Sequence, residues 1–180
     1  TWAGIIARRD STHAAHPTIT TAKFSIGMSY EGRELYMMKI SDNPEVDENE
    51  PEVFFNAITH AREPIGGEVL LETMRRLTEG YGVDTFLTRL VNDREIWFLP
   101  CTNPDGYVYN QLIAPNGGGG WRKNRNDLFD PDFGVDLNRN YGFQWSFDDQ
   151  GSSPDPPDNT YRGTAPFSEP ETGAVRAFVN

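Results

Sequence analysis

A histidine and a glutamate three residues apart are the first candidates for chemistry in this 180-residue chain. His60 and Glu63 follow residues 53–58, an apolar run short enough for a buried strand, and precede Pro64, which opens an amphipathic segment. They therefore lie in a strand-to-helix turn, where open α/β sheets place their ligands. A neutral imidazole and a carboxylate suit zinc, but a catalytic zinc needs a third protein ligand, and the sequence offers no obvious one.

The same spacing also has a plain structural interpretation. Glu63 could cap the following helix, and His60 could be a histidine with ordinary partners at a strand end. Because short motifs match by chance, the pair taken alone favours this structural interpretation.

Two further segments carry side chains that could bind an anion. Asp136, Asn138 and Arg139 lie within residues 134–140, and residues 121–125 form a basic island in an acidic protein. Guanidinium groups bind carboxylates through paired hydrogen bonds. Taken alone, the basic island would more often form surface salt bridges, each contributing roughly 0–1 kcal/mol.

An acidic loop precedes the strand that leads to His60. Its candidate ligands for a hard cation are Asp42, Asp47, Glu48, Glu50 and Glu52. Carboxylates at this density suit calcium, although their spacing is not that of an EF-hand. A solvated acidic loop is the alternative interpretation.

Length and composition restrict the class of protein. Residues 1–180 are expected to form a single domain with an ordinary globular composition, 37% hydrophobic and 24% charged. The net charge of −11 argues against binding to nucleic acid, and no apolar run is long enough for a membrane span. The single cysteine, Cys101, excludes an internal disulfide framework and is expected to be a buried, inert thiol.

Hydrophobic patterns predict the elements that position these residues. Strands are expected at residues 22–28, 34–40, 53–58 and 94–99, and helices at residues 1–15, 65–79 and 84–92. The helix at 65–79 has Leu70, Met74 and Leu77 on one face. Strand, helix and strand in this order imply a crossover and at least partly parallel pairing.

The second half of the chain is richer in loop residues. Residues 103–106, 117–120 and 150–159 are interpreted as loops. Ser168 and Glu171 form a capping-box pattern that predicts a last helix. Because both ends of the chain fall in predicted helices, the chain is expected to be a piece of something longer.

Four motifs together resemble one enzyme family. They are His60-Ala-Arg-Glu63, Asn103-Pro-Asp-Gly106, Trp121-Arg-Lys123 and Asp136-Leu-Asn-Arg-Asn140. Their order and approximate spacing resemble those of the zinc metallocarboxypeptidases of the carboxypeptidase A type, and more closely those of the bacterial carboxypeptidase T branch. The resemblance extends over nearly the whole chain, and four motifs in register are far more specific than one.

The resemblance implies a fold, an activity and a set of roles. The fold would be α/β, with a mixed, mostly parallel twisted sheet and helices on both faces. The activity would be hydrolysis of the C-terminal peptide bond by zinc-assisted attack of water, with no acyl-enzyme. His60 and Glu63 would be zinc ligands, Asp136 would orient His60, Arg122 would stabilise the oxyanion, and Asn138, Arg139 and Arg62 would bind the substrate. The protein would be a secreted, extracellular monomer acting on peptides with a free C-terminus, and relatives of the carboxypeptidase T type are associated with calcium.

The chain departs from this family at three points. The third zinc ligand, a glutamate base and a tyrosine that closes over the substrate would all lie beyond residue 180. His13 and His16 are expected to be structural, so the 180 residues alone are expected to bind zinc weakly and to hydrolyse peptides poorly. Two alternatives remain: a non-catalytic module that binds peptide C-terminal carboxylates, and a related acyl-amino-acid deacylase.

Overall fold

The computed structural model describes residues 1–128 and 134–180, which contain both helices and strands. The elements are α1 (Trp2–Ala15), β1 (Phe24–Met28), β2 (Glu34–Ile40), β3 (Glu52–Asn56), α2 (Ile65–Gly80), α3 (Thr85–Asn92), β4 (Glu95–Leu99), α4 (Pro104–Ile113), a 3₁₀-helix (Leu137–Arg139) and α5 (Pro170–Val179). All the helices and strands predicted from periodicity are present within a few residues of their expected bounds. None of the helices in these ranges is both long and apolar enough to cross a membrane.

The four strands form one mixed sheet in the order β1-β2-β4-β3. β3 and β4 are parallel, with Glu52 opposite Glu95 and Asn56 opposite Leu99, as the intervening crossover through α2 and α3 requires. The β1–β2 and β2–β4 pairs are antiparallel. The prediction of a mixed sheet is confirmed, but the prediction that it is mostly parallel is wrong for these strands, because β2 returns from β1 through a short hairpin and then borders β4.

One face of the sheet is covered by α1, α2 and α3. Leu70, Met74 and Leu77 of α2 are buried there, as their spacing predicts. The sheet contributes residues such as Ile96 and Phe98 to the same core. Cys101 is also buried in this core, and burial raises the pKa of its thiol, so it is the inert cysteine expected from the sequence.

The opposite face is covered by α5. Val175 packs there against Leu35, Met37 and Leu99, and the ring of Phe178 contacts the ring of Trp97 edge-on at 5.2 Å. Helices thus lie on both faces of the sheet, and the predicted fold class is confirmed.

The prediction of a loop at residues 103–106 is wrong, because these residues begin α4. The side chain of Asn103 accepts a hydrogen bond from the Gly106 amide at 3.0 Å, and Pro104 occupies the first turn. An Asn followed by Pro fits a helix start as well as a turn. The Asn-Pro-Asp-Gly run is therefore a helix N-terminus close to the end of β4.

The predicted capping box at the start of α5 does not form. Glu169 is the N-cap, and it makes no side-chain capping bond. Ser168 instead donates to the Glu169 carboxylate, and the Glu171 carboxylate accepts from the backbone amide of Tyr30 at 3.1 Å. Burial against the β1–β2 hairpin thus redirects the side chain that the pattern assigned to the cap.

Candidate metal centre and carboxylate-binding residues

His60 lies where the chain leaves the sheet after β3. This segment pairs with the segment after β4: the Thr102 amide donates to the Ala57 carbonyl at 2.9 Å and the Asn103 amide to the Ile58 carbonyl at 3.1 Å. Ile58 has a φ of 49°, a left-handed conformation that β-branched residues rarely adopt. Strained backbone of this kind often occurs where a side chain is held for function.

The imidazole of His60 lies between two carboxylates. Its Nδ1 is 3.1 Å from Oε2 of Glu63, and its Nε2 is 3.1 Å from Oδ1 of Asp136. The Asp136 side chain is fully buried and also accepts the Asn138 amide at 3.0 Å. Glu63 lies just outside α2, whose N-cap is Pro64 without a side-chain cap bond, so the alternative in which Glu63 caps the helix does not apply.

These contacts test the fit of the pair to a metal. With Nε2 donating to Asp136, the lone pair of Nδ1 faces the Glu63 carboxylate. Two acceptors 3.1 Å apart repel each other unless a proton or a cation lies between them. An imidazole nitrogen and a carboxylate oxygen are ligands that Zn²⁺ accepts, so the pair fits this metal.

Arg122 faces both carboxylates of this group. Its Nε and Nη2 donate to Oδ2 of Asp136 at 3.2 and 2.8 Å, and its Nη1 is 3.7 Å from Oε1 of Glu63. The side chain is 12% exposed, so its charge is only partly screened by water. A fixed guanidinium thus lies beside the candidate ligands.

The backbone around Arg122 is fixed by residues distant in sequence. The Ala61 amide donates to the Arg122 carbonyl at 3.0 Å, which links this segment to the turn that carries His60. The Asn110 side chain of α4 accepts from the Trp121 amide and donates to the Trp121 carbonyl, each at 2.8 Å. α4 therefore supports the segment that places the guanidinium.

Asn138 and Arg139 are presented by the 3₁₀-helix that Asp136 caps. The Arg139 amide donates to the Asp136 carbonyl at 2.9 Å, so the residue that contacts His60 also fixes this turn. Asn138 is exposed and lines a cleft of about 530 Å³ together with His60 and Glu63. Arg139 does not line this cleft, and its Nε donates to the Gly151 carbonyl at 2.6 Å.

The other residues considered from the sequence, Arg62 and His13, form no hydrogen bond or ion pair with the imidazole of His60 or the carboxylate of Glu63. Arg62 is exposed and makes no hydrogen bond or ion pair within residues 1–128 and 134–180. His13 lies near the end of α1, where its Nδ1 is 2.9 Å from the Thr20 hydroxyl. Over the same residues, no third histidine, cysteine or carboxylate completes a cluster with His60 and Glu63.

Three of the five carboxylates predicted for the acidic loop converge. Ligand oxygens of Asp42, Glu48 and Glu50 lie within 4.8 Å of one another. Desolvation and the neighbouring charges of Glu48 and Asp42 raise the pKa of Glu50. The other two lie outside this group: Asp47 is exposed, and the Glu52 carboxylate, on β3, accepts from the indole of Trp97 at 3.0 Å.

Sequence reasoning missed several residues that support the site. Asn110 and Lys123 are buried, and only their long-range contacts show their importance. Gly106 had a signal in the Asn-Pro-Asp-Gly run: a Cβ at this position would lie 2.6 Å from the Lys123 carbonyl oxygen and 2.7 Å from Cβ of Ala61. The glycine therefore permits α4 to approach both segments of the site.

The chain is similar in sequence and in fold to known carboxypeptidases. The chain is 44% identical over 140 residues to the zinc carboxypeptidase of Saccharothrix mutabilis subsp. capreolus, an alignment covering 78% of this chain and 31% of that protein. It is 32% identical over 176 residues to carboxypeptidase A2 of Mus musculus, covering 97% of this chain and 40% of the relative. The crystal structure of carboxypeptidase A from Helicoverpa armigera superposes with a TM-score of 0.80 at 30% identity, covering 95% of this chain and 40% of that one.

The chain spans less than half the length of these relatives. The model of the family described as zinc carboxypeptidase matches residues 5–180. The match includes every residue that contacts His60 and the 3₁₀-helix beside it. The chain belongs to the zinc carboxypeptidase family.

Proposed function

We propose that the protein is a zinc-dependent carboxypeptidase that removes the C-terminal amino acid of peptides. The observation that carries this proposal is His60 held between Asp136 and Glu63, with Arg122 facing both carboxylates and Asn138 on the same cleft. Family membership supports the reaction class. The deacylase alternative has no observation in its favour beyond the shared ligand types and the shared Asn-Arg pair.

His60 and Glu63 would hold the metal, through Nδ1 and a carboxylate oxygen. Bound zinc supplies Lewis acidity and lowers the pKa of a water ligand to about 7. Asp136 keeps the proton of His60 on Nε2, which leaves Nδ1 free as a ligand. The buried carboxylate also fixes the orientation of the ring, so its removal is expected to weaken the metal site.

Arg122 would stabilise negative charge on the scissile carbonyl oxygen. Its position is fixed before substrate binds, by Asp136 through the guanidinium and by Ala61 through the backbone. A fixed positive charge aimed at a developing oxyanion requires no reorganisation during the reaction. Arg122 therefore acts in the chemical step rather than in binding alone.

Asn138 and Arg139 would bind the terminal carboxylate of the substrate, and Arg62 would contact the peptide further from its C-terminus. An amide and a guanidinium both offer N–H donors, and a carboxylate accepts such donors. The partner is therefore a peptide or protein with a free C-terminus. We infer that the protein acts outside the cell as a monomer.

Residues 1–180 would be the N-terminal part of a single catalytic domain. This inference is supported by alignments that cover most of this chain but only 31–40% of its relatives. The third zinc ligand and the general base would come from other residues of the whole protein. The 180 residues alone are then expected to bind zinc weakly.

The test compares two peptides in the protein at its full natural length. One has a free C-terminal carboxylate and the other, otherwise identical, has a C-terminal amide. Cleavage of the first peptide alone, lost with a chelator and restored by added zinc, is the expected result. Equal binding of the first peptide by metal-free and zinc-loaded protein, without cleavage, would instead identify a non-catalytic carboxylate-binding module.

We further propose that the acidic loop binds a hard divalent cation such as calcium. Oδ1 of Asp42 and Oε2 of Glu50 are buried and have no hydrogen-bond partner among the residues that the structure describes, although they lie in a group of three carboxylates. A cation would compensate their mutual repulsion. Calcium should raise the Tm of the protein, the E50Q variant should lose this shift, and the D47N variant should keep it; no calcium-dependent shift in the wild type would contradict the proposal.

A further inference from the structure

A buried lysine is hydrogen-bonded to the loop beside the candidate carboxylate-binding residues. Lys123 is 4% exposed and directly follows Arg122. Its ammonium donates to the backbone carbonyls of Pro156 at 2.8 Å and Asp158 at 3.1 Å. Burial lowers the pKa of Lys123 to about 8, which shows that desolvation of this ammonium is unfavourable. The two carbonyl bonds and the charges of Asp136 and Asp158 compensate this desolvation.

The same loop supports Arg139. The Gly151 carbonyl accepts the Nε proton of Arg139 at 2.6 Å. Between Gly151 and Asp158 the loop is held together internally, since the Ser153 hydroxyl bonds the Asp158 carboxylate at 2.6 Å and accepts the Asp155 amide at 3.0 Å. The acceptors for Lys123 and for Arg139 therefore lie on one small, internally bonded unit, residues 151–158.

The backbone of Lys123 is also held by a hydrogen bond. Its backbone carbonyl accepts from the Asn103 side chain at 3.0 Å, at the start of α4. The preceding carbonyl, of Arg122, accepts from Ala61 in the turn that carries His60. A continuous series of contacts thus leads from the candidate metal ligand through Lys123 to the guanidinium of Arg139.

We propose that Lys123 is a positioning residue for carboxylate recognition: its ammonium fixes residues 151–158 so that the Gly151 carbonyl orients Arg139 toward the terminal carboxylate of the substrate. The inference rests on the proposed function and extends it to a residue that does not itself contact substrate. A compact ammonium with three donors can reach two carbonyls at once, whereas a planar guanidinium imposes a different geometry.

The test uses the K123M variant of the zinc-loaded protein at its full natural length. Methionine fills a similar volume without donors, so the loop should shift and KM for a peptide with a free C-terminus should rise about tenfold, since small misplacements of binding groups have effects of this size or larger. The value of kcat should stay within about twofold, because Arg122 remains in place. K123R, which keeps the charge, should recover part of the loss.

The opposite pattern would overturn the inference. A merely structural lysine would lower the fraction of folded protein, which reduces kcat and leaves KM unchanged. K23M serves as the matched control, because Lys23 is an exposed lysine paired with Asp10 on the surface. If K123M does not fold, S153A offers a milder test, since it loosens residues 151–158 and leaves the lysine intact; a KM equal to that of the wild type would then contradict the proposal.

A second comparison separates this inference from the proposed function. The wild type, R139A and K123M are each assayed for inhibition by an N-acyl amino acid and by its amide. If R139A keeps the wild-type preference for the carboxylate, the proposed function is wrong. If R139A loses that preference while K123M retains it fully, only the role of Lys123 is wrong.

Discussion

Asp136 connects more of the candidate site than any other residue. Its carboxylate contacts His60 and Arg122, and it caps the turn that presents Asn138. Because the side chain is fully buried, these partners compensate a charge that water does not screen. A change at Asp136 is therefore expected to affect metal binding more than it affects the stability of the fold.

The D136N variant should bind zinc about 10–100-fold more weakly, the range found when the hydrogen-bond partner of a ligating histidine is removed. The amide cannot keep the ring proton on Nε2 as a carboxylate does. Zinc affinity is measured by competition with a chromophoric chelator, and D47N, at an exposed carboxylate of the acidic loop, is the control. Equal affinity in D136N and the wild type would refute this role.

Arg122 is expected to act mainly in the transition state. R122A should lower kcat by about 10²–10³, the usual effect of losing an oxyanion-stabilising donor, and should change KM much less. The control is R89A, which removes an arginine with an 81% exposed side chain. Steady-state kinetics test the prediction, and a rise in KM at constant kcat would reassign Arg122 to substrate binding.

The sequence identifies the residues of the site better than their supports. His60, Glu63 and Asp136 stand out because their types and spacing carry a chemical meaning. Asn110 does not, and Lys123 stands in a recognised motif without an assigned role, since only the folded chain shows their carbonyl and amide partners. Contacts between segments far apart in sequence leave no local pattern to detect.

At the scale of elements, α4 packs against both segments of the site, the turn that carries His60 and residues 121–123. Its first turn packs so tightly that Gly106 has no space for a Cβ. The G106A variant should lower the free energy of unfolding by about 1–3 kcal/mol, as overpacking usually does. Denaturant unfolding measures this loss.

The matched control is G120A, at a glycine where an added Cβ would have no neighbour within 4 Å. It should leave the free energy of unfolding within about 0.5 kcal/mol of the wild type, as surface changes usually do. Equal effects of G106A and G120A would show that α4 can move away from residues 121–123 without cost.

The sequence predicts elements well where one side of them is buried. α2 follows a clear periodicity because it packs one continuous apolar face on the core, and β2 is recognisable because it buries apolar residues on both faces of the sheet. The pattern misses α4 because its first residues are typical of turns, and the strand order is not predictable because pairing between β2 and β4 joins distant parts of the chain. Local patterns thus specify elements, whereas the sheet order depends on the packing of the whole chain.

At the scale of the whole molecule, buried carboxylates join the β1–β2 hairpin, residues 121–126 and α5. Glu171 accepts from the Tyr30 amide, and the Asn124 side chain donates to both Glu169 and Glu171. Asp105 of α4 accepts from the Ser29 hydroxyl and the Glu31 amide of the same hairpin, each at 2.7 Å. Stability should therefore respond to the protonation of this group.

Burial raises the pKa of Glu171 from 4.5 to about 7, and the charges of Asp105 and Glu169 add to the shift. The native state thus holds a proton that the unfolded chain releases above pH 4.5. Stability should fall as pH rises from about 4.5 to about 7, by about 3 kcal/mol for this group at 1.36 kcal/mol per pKa unit. Denaturant unfolding across this range measures the slope.

The E171Q variant separates Glu171 from the other carboxylates. Glutamine resembles the protonated acid, so E171Q should be more stable than the wild type at about pH 8. This difference in stability should disappear at about pH 4.5. E45Q, at an exposed glutamate of the acidic loop, should follow the wild type at every pH. A difference between E171Q and the wild type that does not change with pH would show that Glu171 stays ionised in the native state, and that the contacts from Tyr30 and Asn124 outweigh its desolvation.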